Sequence, residues 1–131
     1  MHWRGGEYGL NAKYLNQLLI AKFPNLQKKY HDEISWQDGE STGSHIIYGD
    51  VLTPYLIERI ERDDLEEIKE IFGFLEDVLL LGDKYSDEVI AFSVVESVFH
   101  LLSKNSHLQI LLGSNTRVIL EELEKNFNLT N

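Results

Sequence analysis

Two apolar segments joined by a polar turn decide the fold, and together they read LEEIKEIFGFLEDVLLLGDKYSDEVIAFSVVESVFHLL, residues 65–102. The first segment repeats apolar residues at steps of three and four, which is the spacing of one buried helical face. The second segment is apolar around most of a helical circumference, so we expect it at the centre of a bundle. The core positions predicted for these two helices are Leu65, Ile68, Ile71, Phe72, Leu75, Val78, Leu79, Val89, Ile90, Phe92, Val94, Val95, Val98, Phe99, Leu101 and Leu102.

Residues 72–79 and 92–99 are a near-echo of each other, with Glu76 and Glu96 in equivalent places. Helix packing alone generates such patterns, and we favour that origin over a true helical repeat. Gly73 lies inside the first copy, where a glycine costs about 1 kcal/mol relative to alanine. We therefore expect another helix to cross closely at Gly73.

Capping residues predict where these two helices begin and end. Asp63, with Glu66 three residues later, predicts the start of the first helix, and Gly82 predicts its end. The second helix is predicted to begin near Ser86.

Similar signals place further helices on both sides of this pair. An N-terminal helix is predicted to begin at Asn11 and to stop at Pro24, with Asn16 lying away from its apolar face. For the helix that contains Pro54, two starts remain open: a cap at Thr53, or a start near Ile46 followed by a kink at the proline. Other helices are predicted after Pro24, from Ser106, and from Ser114 or Asn115.

The chain is therefore predicted to be all-α, either a compact antiparallel helical bundle or a HEAT-like stack of six to seven helices. We expect a flexible tail over residues 1–9 and a single helical domain over residues 10–131.

Composition and charge exclude several classes of function. The net charge is −10 over 131 residues; residues 1–44 are balanced, and residues 45–131 carry seven basic and seventeen acidic side chains. Such a field repels nucleic acid and anionic membranes and attracts a basic protein. Cysteine is absent, and we see neither an export signal nor a membrane span, so we predict a cytoplasmic protein.

The sequence contains no complete catalytic or metal-binding motif, so we predict no enzyme activity, no cofactor and no metal site. The histidines, for example, lack the four-residue spacing of a helical metal site. Glu76 and Glu96 are predicted to be buried structural carboxylates, because a buried charge requires a partner. That partner is either a helix end or an arginine, with Arg59, Arg62 and Arg117 as candidates.

Residues 35–44 form the clearest loop, and they include one large aromatic side chain, Trp36. The indole either anchors the loop on the core or is presented to a partner, and we favour anchoring. The acidic run over residues 58–77 is likewise either a solvated face or a docking surface for a basic protein. The predicted partner-binding residues are Trp36, Asp38, Glu40, Glu58, Glu61, Asp64, Glu67 and Glu70.

The order of three motifs resembles an uncharacterised family of small bacterial all-helical proteins over residues 24–125: His45-Ile46-Ile47-Tyr48-Gly49-Asp50, Ile71-Phe72-Gly73-Phe74-Leu75-Glu76 and Val94-Val95-Glu96-Ser97-Val98. Pro54 and the loop at 35–44 depart from the family's pattern. The resemblance implies no catalytic residues. Because some members are found in toxin loci, it also implies an immunity protein that neutralises a basic bacterial toxin. The alternative is a non-catalytic scaffold that forms a homodimer around Tyr48, Tyr55 and Phe127.

Overall fold

The computed structural model describes the backbone of residues 4–130 and the side chains of residues 12–127. Seven helices and no β-strand occur within this part of the chain, which confirms the prediction of an all-α bundle. In chain order the helices are α1 (Arg4–Lys22), α2 (Gln27–Ser35), α3 (44–61), α4 (Leu65–Leu79), α5 (84–102), α6 (Ser106–Leu111) and α7 (Ser114–Thr130). None of the helices so described is both long and apolar enough to span a bilayer.

Helices α3 and α5 lie at the centre of the bundle, and α1 and α4 each contact both of them. The core between them is built from leucine, isoleucine and valine, with Phe72 and Tyr48 as its largest fully buried side chains. The hydroxyl of Tyr48 donates a hydrogen bond to the carbonyl of Leu15 at 2.6 Å, and burial raises the pKa of this phenol. The central position expected for α5 is confirmed, although Leu65 of α4 and Phe92 of α5 are exposed rather than buried.

The first helix begins earlier than the sequence predicts. Because α1 runs from Arg4 to Lys22, residues 4–9 are helical rather than a loose tail, and Asn11 does not cap the helix. The remaining residues of the predicted tail, 1–3, lie outside the described residues. Pro24 does end this segment as expected, since it starts a short 3₁₀ turn that leads into α2.

Helix α3 is continuous through its proline because its turns change width. It consists of an α-helical turn (Ser44–Ile47), a π-helical segment (Tyr48–Leu52) and a second α-helical part (Thr53–Glu61). In a regular α-helix, Pro54 would lack a donor and its ring would clash with the carbonyl four residues earlier. The wider π turn accommodates it. The start at Thr53 is therefore wrong, and the earlier of the two predicted starts is nearer.

The ends of α4 lie close to the predicted capping residues, and the N-cap is shifted by one residue. Asp64, not Asp63, caps the helix by accepting the amide hydrogen of Glu67 at 3.3 Å. Gly82 follows the helix with φ of 71°, the left-handed conformation that favours glycine at a helix end. Gly73 is exposed, and a Cβ atom there would meet nothing within 4 Å, so the expected close crossing is wrong.

Helix α5 is the least regular helix. It passes through α-helical (Lys84–Glu88), π-helical (Val89–Val95), 3₁₀ (Glu96–Val98) and again α-helical (Phe99–Leu102) turns. Asp83 caps it by accepting the amide hydrogen of Ser86 at 3.0 Å, so the helix begins two residues before the predicted start.

Candidate functional site

The loop between α2 and α3, residues 36–43, presents a large aromatic side chain to solvent. Trp36 is 68% exposed, and its indole makes no hydrogen bond, ring contact or ion pair with the part of the chain that the structure describes. The expectation that Trp36 anchors the loop on the core is therefore wrong. We refer to residues 36–43 as the Trp36 loop.

A buried polar residue of α1 supports the Trp36 loop. The side-chain amide of Asn16 donates a hydrogen bond to the carbonyl of Thr42 at 2.9 Å. The Thr42 hydroxyl in turn donates to the carbonyl of Gly39 at 2.6 Å and accepts from the amide of Asp38 at 3.1 Å. Asn16 and Thr42 are both fully buried. Because buried polar groups are costly unless they are hydrogen-bonded, this network strongly favours one conformation of the loop.

The first residue of α3 completes the support. The Ser44 hydroxyl lies 2.9 Å from Oδ1 of Asn16 and 3.1 Å from the carbonyl of Ala12, and its single hydrogen serves one of them. The Ser44 amide donates to the hydroxyl of Tyr85 at 3.0 Å. The loop is thus held by α1 on one side and by α5 on the other. The supporting roles of these residues are not predicted from the sequence, in which Asn16 lies away from the apolar face of α1.

The acidic side chains of the Trp36 loop are exposed, as the indole is. Asp38 and Glu40 both lie at the surface. Glu40 pairs with Lys13 of α1 at 3.4 Å, and half or more of each side chain is open to solvent. An exposed pair of this kind contributes little to stability. Both carboxylates therefore remain accessible to another molecule.

The predicted acidic residues of α3 and α4 are instead mostly engaged within the chain. Nη2 of Arg59 donates to Glu58 at 2.9 Å, and Nη1 of Arg59 donates to Asp64 at 3.0 Å. Asp64 also caps α4. Two of the five predicted carboxylates therefore share one arginine.

The other three differ in their surroundings. Glu67 accepts a hydrogen bond from the hydroxyl of Tyr55, and Glu70 pairs with Lys22 at 2.9 Å. Glu61 is exposed and has no ion-pair partner among the residues described. Four of the five carboxylates thus have partners within the chain, although Glu70, like Glu40, is in an exposed ion pair that leaves it accessible to another molecule.

The structure does not bring the predicted partner-binding residues together. Glu40 contacts Lys13, whereas Glu70 contacts Lys22, nine residues further along α1. Nine residues of an α-helix span about 13 Å. The predicted residues therefore divide into a loop group (Trp36, Asp38 and Glu40) and a helix group (Glu58, Glu61, Asp64, Glu67 and Glu70).

Glu76 is a structural carboxylate that caps a neighbouring helix. It accepts hydrogen bonds from the backbone and side chain of Asn115 at 2.9 and 2.8 Å, and from those of Thr116 at 3.1 and 2.9 Å. Burial alone would raise the pKa of Glu76, but the hydrogen bonds outweigh it and the pKa is lowered. Gly113 lies against this carboxylate, and a Cβ atom there would overlap it. A helix end is one of the two kinds of partner expected for Glu76.

Glu96, the counterpart of Glu76 in the echo, is exposed and makes no hydrogen bond or ion pair within the described part of the chain. The prediction that it is a buried carboxylate is wrong. Tyr48, one of the three residues of the predicted homodimer patch, is fully buried and contributes no surface to such a patch. Tyr55 is half-buried, and Phe127 stacks on Phe99 with ring centroids 4.5 Å apart.

Ser93, in the π-helical segment of α5, makes polar contacts with α3 residues on both sides of the π-helical segment of α3. Nδ1 of His45 is 2.8 Å from Oγ of Ser93, and the hydroxyl of Thr53 donates to the Ser93 carbonyl at 2.7 Å. These contacts join the two central helices. No group of three side chains suited to binding a metal ion occurs in the residues that the structure describes.

A second open surface, the α5–α7 groove, lies beside the end of α4 and has a volume of about 330 Å³. Phe92 and Val118, on its two walls, are 53% and 55% exposed. Burial raises the pKa of Asp87, and the nearby Asp83 and Glu88 carboxylates raise it further. The residues that line the groove are Leu79, Lys84, Asp87, Glu88, Ala91, Phe92, Asn115, Val118 and Ile119.

Comparison with known proteins gives one match. A family model with the description "Domain of unknown function (DUF7674)" matches residues 16–128, which include every helix from α2 to α6, the C-terminal part of α1 and most of α7. No curated protein and no solved structure matches the chain.

Proposed function

The chain belongs to the family described as Domain of unknown function (DUF7674), and we propose that it acts without catalysis by binding a basic protein through the Trp36 loop. The observation that carries this proposal is the exposure of Trp36 on a loop fixed by buried hydrogen bonds. Tryptophan is among the residues that most often dominate the binding energy of protein interfaces. A loop already held in one conformation loses little further entropy when it binds.

Charge supports a basic partner rather than an acidic one. The chain has a net charge of −10, and Asp38 and Glu40 follow Trp36 in the same loop. Long-range attraction between opposite charges raises the rate of encounter, and charges at the rim of an interface act mainly on this rate. The exposed Glu40–Lys13 pair does not prevent this role, because such pairs exchange readily for others.

We propose, more specifically, that the chain is an immunity or inhibitor protein in the bacterial cytoplasm. The chain would neutralise a basic toxin domain by covering its cationic active site. The acidic surface of the chain supports this role, and the role requires binding but no catalysis. The resemblance described above points in the same direction.

The first test is capture of the partner by the wild-type chain. The chain is immobilised, exposed to lysate of its source cell, and the captured proteins are identified by mass. We expect a protein with a high isoelectric point that dissociates as NaCl rises from about 50 to about 500 mM. Co-expression of the chain with that protein should restore growth if the protein is toxic.

Two double variants then locate the contact. D38N/E40Q and E61Q/E66Q remove the same charge from exposed positions, one pair in the Trp36 loop and one in α3 and α4. We expect D38N/E40Q to lower the association rate for the captured protein several-fold more than E61Q/E66Q, with the difference shrinking at high salt. Equal effects of the two variants, or a captured partner that is not basic, would contradict the proposal.

A further inference from the structure

We infer that the α5–α7 groove is a second docking surface, and that its occupant is an amphipathic helix of a protein partner with a lysine or arginine beside its apolar face. The inference rests on the proposed function, because the occupant belongs to the same class of basic protein.

The walls of the groove expose apolar surface that the fold does not use. Phe92 belongs to the central helix α5, yet more than half of it is open to solvent. Val118 faces the same groove from α7 and is exposed to the same degree. Covering apolar surface stabilises a complex by roughly 25 cal/mol per Å². The two side chains, on opposite walls, can therefore both contact a third apolar side chain that is inserted between them.

The dimensions of the groove suit a helix. Its α5 wall runs from Lys84 to Phe92, which is two helical turns or about 12 Å. Helices that dock in grooves place anchors at spacings of three, four and seven residues, and two turns accommodate two or three such anchors. The volume of about 330 Å³ lies near the lower limit for ligand sites, which fits a few side chains.

The charged residues of the groove favour a helix that carries a basic side chain. Asp87 and Glu88 line it, Asp83 lies close enough to affect Asp87, and Lys84 is the one cation among the lining residues. The carboxylates repel one another, so a cation brought by a partner would relieve the repulsion. A second apolar hollow, between α1 and α4, is lined by one cation and one anion, Lys22 and Asp77, and offers no such selection.

The test uses two synthetic helical peptides of about 14 residues, one built from leucine and lysine and the other from leucine and glutamate. Each is titrated into the full chain labelled for NMR. We expect the Leu/Lys peptide to shift the amide signals of Ala91, Phe92 and Val118, and the Leu/Glu peptide to leave them unchanged. F92A should weaken the Leu/Lys peptide by about tenfold, whereas W36A should not. E88Q, which leaves the apolar walls intact, should weaken it to a smaller degree.

Three outcomes would overturn the inference: equal binding of both peptides, shifts that lie outside the groove, or F92A binding like the wild type. Self-association of the chain that F92A abolishes would identify a second copy as the occupant and would likewise overturn it. The unfolding midpoint of F92A, measured by circular dichroism, separates lost binding from lost fold. Because the peptides probe a surface remote in sequence from the Trp36 loop, their failure leaves the proposed function of that loop intact.

Discussion

The two echo segments, 72–79 and 92–99, have similar sequences, but their equivalent phenylalanines and glutamates lie in opposite environments. Phe72 is 1% exposed, whereas Phe92, at the equivalent place, is 53% exposed. Glu76 accepts four hydrogen bonds from the first turn of α7, whereas Glu96 is exposed and has no partner in the described residues. The first copy stabilises the bundle through both residues, and the second leaves both open to solvent.

This difference shows that the neighbouring helix, and not the local sequence pattern, determines whether each of these side chains is engaged in the fold or exposed. The first copy faces the start of α7, which offers unpaired backbone amides to a carboxylate. The second copy lies in a helix whose π and 3₁₀ turns shift side chains away from α-helical spacing. Residues that stabilise the fold in one copy are therefore available for binding in the other.

The largest expected effect comes from removing the equivalent phenylalanines. F72A should destabilise the chain by about 3–5 kcal/mol, because it opens a cavity in a closely packed core. F92A should cost less than about 1 kcal/mol, since its ring is already half in water. Urea unfolding followed by circular dichroism measures both. Similar losses for the two variants would mean that the copies play the same role.

The equivalent glutamates should differ in the same direction by a smaller amount. E76A should destabilise the chain by about 2 kcal/mol, because it removes charge-assisted hydrogen bonds that cap α7. E96A should change stability by less than about 0.5 kcal/mol. The same unfolding experiment serves here, and a cost of E96A equal to that of E76A would contradict the comparison.

Acid should remove the contribution of Glu76. Its pKa is lowered from the ordinary value of 4.5, so its stabilisation is complete above that value and is lost as pH falls through the lower pKa of the folded state. A protonated glutamic acid resembles glutamine, so the difference in unfolding free energy between wild type and E76Q should be constant from about pH 7 to 5. It should shrink below about pH 4.5. Urea unfolding of both proteins across this pH range tests the direction of the change. A difference in unfolding free energy that widens in acid would contradict the prediction.

A further expected effect is smaller than that of E76A and has the opposite sign. Gly73 is exposed within α4, and a Cβ atom there would contact nothing. G73A should therefore stabilise the chain by about 0.5–1 kcal/mol, because alanine restricts the unfolded chain and favours helix. Thermal unfolding of G73A provides the measurement. A lower midpoint than that of wild type would indicate an unseen contact at this position.

The helices could be predicted because their signals are local. The three- and four-residue spacing of apolar residues marks α4, and a glycine with left-handed backbone ends it. The start of α1 could not be predicted, since Asn11 is a good cap in isolation and nothing local shows that the helix continues in front of it. The π turn before Pro54 is equally hidden, because it depends on packing between α3 and α5.

The supports of the candidate site were the hardest part to predict. Asn16 is polar and lies off the face that Leu15, Leu18 and Leu19 form, so periodicity assigns it to the surface. It is buried because its amide satisfies a loop carbonyl 26 residues away, a contact that no local pattern encodes. Trp36 was identified as the notable residue of its loop, but its exposure depends on whether the core has room for it, which the sequence does not state.

Trp36 is proposed to serve binding rather than folding, and one pair of measurements on W36A tests this most directly. The first is the free energy of unfolding in urea, and the second is the affinity for the basic protein captured by the wild-type chain. We predict an unfolding free energy within about 0.5 kcal/mol of wild type and an affinity lower by at least roughly tenfold. An unchanged affinity, or a loss of stability large enough to explain weaker binding, would contradict it.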